Sequence, residues 1–246
     1  GLTVLDPDSG RVLVDRANLE LRQGEIVGLF GLLGSGVVET AMALFGAWRG
    51  SVTGAIRLDG KTVELTDPSR AVQAGIGLIA QDRRDGLSAE HSIFDNAILA
   101  NLPAISSRLG FIDVITARRQ TQDLFDRLRI KANGIDTLVG ELSGGNQQKV
   151  QVARWLAAGV RVLLPIDPTR GVDVGARAQV NRIWRELADD GCAILLVSSD
   201  AEGLVDTADR AFVMRGGRIT NQLDRDSLTE EALLRFATGV WPMDLK

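Results

Sequence analysis

A short apolar run, Glu25-Ile-Val-Gly-Leu-Phe30, leads directly into Gly31-Leu-Leu-Gly-Ser-Gly36, and residues 36–45 continue with apolar residues at helical spacing. Strand, glycine loop and helix in that order is the context a phosphate-binding loop requires. Glycines let successive backbone N–H groups turn inward as an anion nest at a helix N-terminus. The same stretch excludes a membrane span: residues 26–38 are uncharged but number only 13, with four glycines, too short to cross a bilayer. Residues 1–25 do not read as a signal peptide.

The rest of the chain alternates in the same manner. Residues 11–14, 17–21, 54–58, 62–65 and 75–80 read as strands, followed by a mostly helical stretch over 82–159. Within it, residues 114–128 place Ile115, Leu124 and Leu128 at helical spacing, and residues 145–158 place Val150, Ala153, Leu156 and Ala157 on one side. Strands return at 161–166 and 192–197, flanking a helix at 174–187 built on Val180, Ile183, Trp184 and Leu187. Residues 211–214 and 218–219 around Gly216-Gly217 read as a hairpin, and a helix over 226–237 opens on a capping-box pattern, Ser227-Leu-Thr-Glu230. Alternating strands and helices around a helical insert predict an α/β sheet with a helical subdomain. With 45% hydrophobic and 24% charged residues over 246 positions, the chain has enough apolar material for a full core and is neither disordered nor a disulfide scaffold. Its single cysteine fits a reducing compartment. A net charge of −4 argues against a general nucleic-acid binder. The chain opens on Gly1, which reads as a piece of a longer polypeptide.

Gly31, Gly34, Ser35 and Gly36 have the spacing of a Walker A loop, whose pattern continues with Lys and then Ser or Thr. Here Val37 and Val38 hold those places. The lysine would bridge the β- and γ-phosphates and the hydroxyl would ligate Mg²⁺; valine does neither, so a glycine-rich turn with no ligand is the alternative for this loop. Glu141-Leu-Ser-Gly-Gly-Asn-Gln-Gln-Lys149 is more specific: Ser143 is placed to cap a helix, and two glycines bare its N-terminus toward an anion.

Leu142-Ser-Gly-Gly-Asn146 resembles the signature motif of ABC-type ATPases, and Leu163-Leu-Pro-Ile-Asp-Pro-Thr-Arg-Gly-Val-Asp-Val-Gly175 resembles their Walker B strand and D-loop. Together with Gln81-Asp-Arg-Arg-Asp-Gly-Leu87, these segments are similar to the second of two tandem cassettes in bacterial monosaccharide importers. That resemblance implies a P-loop NTPase fold with a mostly parallel core sheet, an antiparallel β subdomain and a helical signature subdomain, the core over 1–81 and 160–246 and the helices over 82–159. It implies ATP and Mg²⁺ as cofactors, a partner N-terminal cassette, transmembrane permease subunits, a periplasmic or extracellular sugar-binding protein, no nucleic acid, and a peripheral place on the cytoplasmic face of the bacterial inner membrane. Residue by residue, Gln81 matches the Q-loop glutamine, Asp173 the D-loop aspartate, and Ser143, Gly144, Gly145 and Asn146 the signature contacts. Asp167 falls on the general-base glutamate and Ile166 on the magnesium aspartate; a one-residue slip would make Asp167 the magnesium ligand, with Gln81 beside it, and leave no base. Ser199 stands where the family has its switch histidine.

The chain departs from the pattern in several places. Second cassettes of this family often carry Arg for the Walker A lysine and lack the adenine-stacking aromatic; here no aromatic precedes Phe30, and Val37 replaces even the Arg. The reading is a degenerate ATP site whose signature segment completes a partner's site. A competent ATPase acting as a homodimer and a non-transport ABC protein are the alternatives, the second expected to carry a coiled coil or basic arm. Pro165 is unusual inside a central strand. The remaining conspicuous residues read as packing or surface: His91 at the surface or in packing, Cys192, Trp155 and Trp184 in the core, Trp48 at the surface, and the charges of 113–129 as a solvated helix face, part of which would dock a membrane subunit.

Overall fold

The computed structural model describes residues 1–82, 86–107, 110–169 and 174–240. Strand β1 (Leu2–Leu5) pairs antiparallel with β2 (Val12–Ala17) and β4 (Val52–Thr53), and β5 (Ile56–Leu58) pairs with β6 (Lys61–Val63) as a separate hairpin. Six further strands make the central sheet: β3 (Ile26–Gly31), β7 (Ile76–Ile79), β8 (Val162–Pro165), β9 (Ala193–Ser198), β10 (Arg210–Arg215) and β11 (Arg218–Asp224), in the order β11-β10-β3-β9-β8-β7. All neighbours run parallel except β10 and β11. Every residue of β3 and β9 is buried, which explains their unbroken apolar composition: a parallel strand covered on both faces has no solvated side to alternate with.

Helix α1 (Val37–Leu44) follows β3, and α2 (Pro68–Gln73) is started by Asp67, whose side chain accepts from the Arg70 N–H. Between β7 and β8 lie α3 (Ile93–Ile98), α4 (Leu102–Ile105), α5 (Val114–Arg127) and α6 (Gly144–Ala157), with α3, α5 and α6 packed on one another. A capping box of Ser92 and Asp95 opens α3, and Asp113 caps α5. Helices α7 (Val174–Asp189), α8 (Ala201–Thr207) and α9 (Glu230–Thr238) complete the chain. Where α6 crosses β7, Trp155 lies so close that a Cβ at Gly77 would sit 2.8 Å from the indole; only glycine permits that approach.

At the base of the sheet Arg210 makes a two-pronged contact with Glu25, 2.6 and 3.1 Å, and also donates to the Glu20 carbonyl. Burial works against the Glu25 carboxylate, but Arg210 and the Arg22 N–H outweigh it and hold the group below the usual carboxylate range. At the other end of the sheet, the β8–β9 ladder runs through Val162–Ala193 and Leu163–Ile194 and resumes only at an isolated bridge between Ile166 and Val197. Pro165 lies in that gap and has no N–H to give, so the proline is accommodated by an interrupted ladder.

Several expectations are corrected. Residues 18–21 form no strand; β2 ends at Ala17, and Leu19 and Leu21 pack half-buried on the core without ladder partners. On α5 the buried residues are Ala117 and Thr121, whereas Ile115 is 85% exposed. On α6 the buried set is Gln148, Val150, Gln151, Val152, Ala153 and Trp155, so Leu156 and Ala157 do not belong to the innermost face. The last helix starts at Thr229, whose hydroxyl accepts from Ala232, while Ser227 bonds back to Asp224. Trp48 is half-buried, with its Nε1–H donated to the Leu5 carbonyl at 2.8 Å. Trp155, Trp184 and Cys192 are buried as expected; burial pushes the Cys192 thiol up to about 11.

Candidate functional site

The parallel order brings the carboxyl ends of β3, β9, β8 and β7 into one row, the position where open α/β sheets bind ligands. At the end of β3, Gly31 to Gly36 turn into α1. Gly36 is the N-cap at φ +102°, and no side chain caps the helix. A Cβ at Gly36 would stand 2.7 Å from the Leu13 carbonyl. The first-turn N–H groups therefore face outward as a bare nest, and Gly34 is also left-handed. Ser35 is buried, its carbonyl accepts from Gly217, and its Oγ has no partner among the described residues. Val37 is buried against Gly31, Val38 is partly exposed, and Leu33 at the loop tip is fully exposed. The loop thus keeps the backbone shape of a phosphate nest and presents apolar side chains where a cation and a hydroxyl would act.

Next in the row, β9 ends at Ser198, beside Phe30 of β3, and Ser199 follows. On the far side of β9 comes Asp167, at φ +41°, its N–H bonded to the Val197 carbonyl. Its Oδ1 accepts from the Ser199 N–H at 2.9 Å, Ser198 Oγ at 3.1 Å and Ser199 Oγ at 3.4 Å; its Oδ2 accepts from Gln81 Nε2 at 2.9 Å. Gln81 itself follows β7. Three residues singled out from the sequence, Gln81, Asp167 and Ser199, are therefore in direct contact. Ile166 points into the core and is 3% exposed, so it takes no part in this polar group. Asp173 lies outside the described residues.

The signature segment stands at the start of α6. Ser143 is the N-cap, but its hydroxyl makes no capping bond; it accepts from Asn146 Nδ2 at 2.9 Å, which corrects the expected cap and leaves the hydroxyl proton free to donate. Asn146 Oδ1 accepts from the Lys131 N–H, and Lys149 donates to the Arg129 carbonyl. Ser143 is exposed, and around Gly145 a Cβ would meet nothing within 4 Å. The segment is anchored from behind and open in front.

Sequence reasoning assigned no role to three residues here. Gln148 is buried and donates to the Pro168 carbonyl at 2.8 Å. Ser198 joins the Asp167 group. Arg154, pushed down by burial, donates to the carbonyls of Gly86 and Asn96 and to Asn96 Oδ1. A glutamine two residues past Asn146 was a visible signal; its partner was not. A cavity of about 910 Å³ lies elsewhere, at the opposite ends of the strands, lined by Ile76, Val162 and Ala193 and by none of these residues.

The family model described as ABC transporter matches residues 14–170. The chain belongs to the ABC transporter ATPase family. The ATPases of this family bind ATP, typically with Mg²⁺. A ribose import ATP-binding protein of Rhizobium meliloti is 42% identical over 234 residues, 95% of this chain and 46% of its own length. A xylose import ATP-binding protein of Geobacillus kaustophilus is 37% identical over 238 residues, 96% of this chain and 47% of its own length. The chain thus spans just under half the length of these relatives. A nucleotide-free ATP-binding cassette from an ABC transporter superposes with a TM-score of 0.79 over 98% of this chain and 96% of that one, at 18% identity; the fold is that of an ABC cassette. Against that background the residues present suit a phosphate at the glycine nest. They do not suit Mg²⁺: Val38 has no oxygen, and the Asp167 carboxylate is already taken up by four donors of its own chain.

Proposed function

We propose that this chain is the second of two cassettes in the ATP-binding subunit of a bacterial monosaccharide importer, with a degenerate nucleotide site of its own and a signature segment that completes the partner cassette's ATP site. The observation that carries this is the contrast between the two loops: the β3–α1 loop keeps its glycines but has Val37 and Val38 at the phosphate- and metal-handling positions, whereas Ser143 is exposed, a Cβ at Gly145 would meet nothing within 4 Å, and Asn146 anchors the segment from behind. Head-to-tail pairing would bring that segment to the γ-phosphate held by an N-terminal cassette of the same polypeptide. The names of the ribose and xylose import relatives support the substrate class. In this reading residues 1–81 and 160–246 are the core with its β subdomain, and 82–159 the helical part.

The importer reading also assigns partners. Transmembrane permease subunits would hold the chain at the cytoplasmic face of the inner membrane, and a periplasmic or extracellular sugar-binding protein would deliver the substrate. The exposed Phe111, Ile112, Val114 and Ile115 ahead of and within α5 support a permease contact in the helical part. No helix of the described residues is long and apolar enough to cross a membrane.

Magnitudes decide which half of the work is lost. A charge-assisted hydrogen bond contributes roughly 1.5–3 kcal/mol; losing the lysine and the magnesium hydroxyl weakens Mg-ATP binding by about 10²–10⁴-fold. Hydrolysis depends on charge stabilisation at the γ-phosphate and falls further. Steady-state phosphate release by this chain at millimolar Mg-ATP is expected at background. Turnover near the roughly 1–100 s⁻¹ usual for phosphoryl-transfer enzymes would overturn the reading in favour of a competent homodimer.

A further inference from the structure

From the hydrogen bonds around the end of β8 we infer that Asp167 and Pro168 form a clasp that fixes the signature helix α6 without nucleotide in this chain's own pocket. Two glutamines from outside the core converge on these consecutive residues. Gln81, where the chain leaves β7 for the helical stretch, donates to Asp167 Oδ2; Gln148, one turn into α6, donates to the Pro168 carbonyl. From the core side, Ser198 and Ser199 fill Asp167 Oδ1. Three donors thus crowd Oδ1, and Gln81 is the one that reaches Oδ2 among these bonds. Arg154 adds a third tie, from α6 to the Gly86 carbonyl beyond Gln81 and to Asn96 of α3.

The geometry gives the degenerate site a purpose. Asp167 is a positioning residue: it holds Gln81 and, through the turn it shares with Pro168, the start of α6. Side chains of this chain alone make these contacts. Its left-handed φ of +41° is held by the Val197 carbonyl and the two serines, since such backbone strain persists only where the surroundings over-determine it. A signature segment held in place by its own chain meets the partner's γ-phosphate with less ordering to do, which is how preorganisation strengthens a contact. This deepens the proposed function and rests on its reading of α6 as a lid in trans.

Hydrogen–deuterium exchange on the intact, nucleotide-free protein tests it. Gln81→Leu alters an exposed residue and Gln148→Leu a buried one; each is expected to raise exchange in residues 144–157 by at least ~10-fold, and the double variant by no more than ~3-fold beyond either, because both act on one turn. Peptides of β3 and β9 report whether the core stays folded, and should it fail in Gln148→Leu, Gln81→Leu alone decides. Unchanged exchange of α6 in Gln81→Leu, or α6 unprotected in the nucleotide-free wild type, overturns the clasp. Gly145→Asp in the same protein separates this from the lid reading. It leaves exchange unchanged beyond the first turn of α6, where aspartate favours the helix start, and removes the partner's ATPase activity; retained ATPase would sink the lid while the exchange result still stands.

Discussion

The chain carries two glycine loops at two helix starts, and they differ in opposite ways. The base of the first loop is locked into the fold: Gly31, Ser35 and Gly36 are buried, a Cβ at Gly36 would press on Leu13 and Gly217, and the Ser35 carbonyl accepts from the Gly217 N–H. Yet the side chains that follow are Val37 and Val38. At 143–146 nothing presses on Gly145, and Ser143 and Asn146 keep a polar, outward face. In the proposed reading the first loop supplies backbone without the cation and hydroxyl, and the second supplies both backbone and polar side chains. A glycine nest can persist for packing reasons alone, so it says little about catalysis until the next two side chains are read. An unobstructed glycine on a bare helix N-terminus has no packing reason to persist, which makes the second loop the better witness of function.

The largest test of that contrast sets Gly145→Asp against Val37→Ala in the intact protein assembled with the permease that the proposed function assigns to it. A Cβ at 145 meets nothing within 4 Å in its own chain, so the fold is expected to survive and the damage to fall on an anion brought up from outside. ATPase and uptake are expected to drop by at least ~10²-fold, the scale of losing one transition-state donor. Val37→Ala is expected to change either by less than ~2-fold, because the position already lacks its cation. A silent Gly145→Asp with an inactive Val37→Ala would reverse the roles of the two loops.

Stability sharpens the same comparison. Alanine at Gly36 needs φ +102° and a Cβ 2.7 Å from the Leu13 carbonyl, a strain of roughly 2–3 kcal/mol. Thermal melting should fall by about 5–10 °C for a chain of this size. Alanine at Gly145 meets nothing and, inside α6, should stabilise by up to about 1 kcal/mol. Equal effects at the two glycines would mean that the first loop is not the packed element described above.

The strand–loop–helix units were legible because buried parallel strands and amphipathic helices leave plain periods, as in β3, β9 and the Val180, Ile183, Trp184, Leu187 face of α7. Periodicity misled where an apolar residue packs without joining a ladder, as Leu19 and Leu21 do. It misled again at Ile115, because α5 meets its neighbours through the small Ala117 and Thr121. In the site, Gln81, Asp167 and Ser199 were readable from motif positions, and the structure puts them in contact. Gln148 and Ser198 were not readable as partners, since their meaning depends on α6 and β9 both reaching the end of β8, a tertiary fact with no local signature.

The smallest expected effect is a gain. Val37→Lys with Val38→Ser restores a cation and a hydroxyl on a loop whose backbone nest is already shaped. Val38 is 37% exposed, so serine costs little there. Val37 is 6% exposed, so lysine gives up some packing, but its aliphatic stem can cover the same surface while the ammonium reaches out over the loop. Calorimetric titration should show Mg-ATP binding at least ~10-fold tighter than wild type, equivalent to about 1.4 kcal/mol. That is less than the full loss ascribed to the two contacts, because Asp167 remains taken up by Gln81, Ser198 and Ser199 and offers the metal little. For the same reason phosphate release should stay at background in the double variant. No gain in affinity, with circular dichroism unchanged, would mean that the first loop no longer holds a phosphate nest at all.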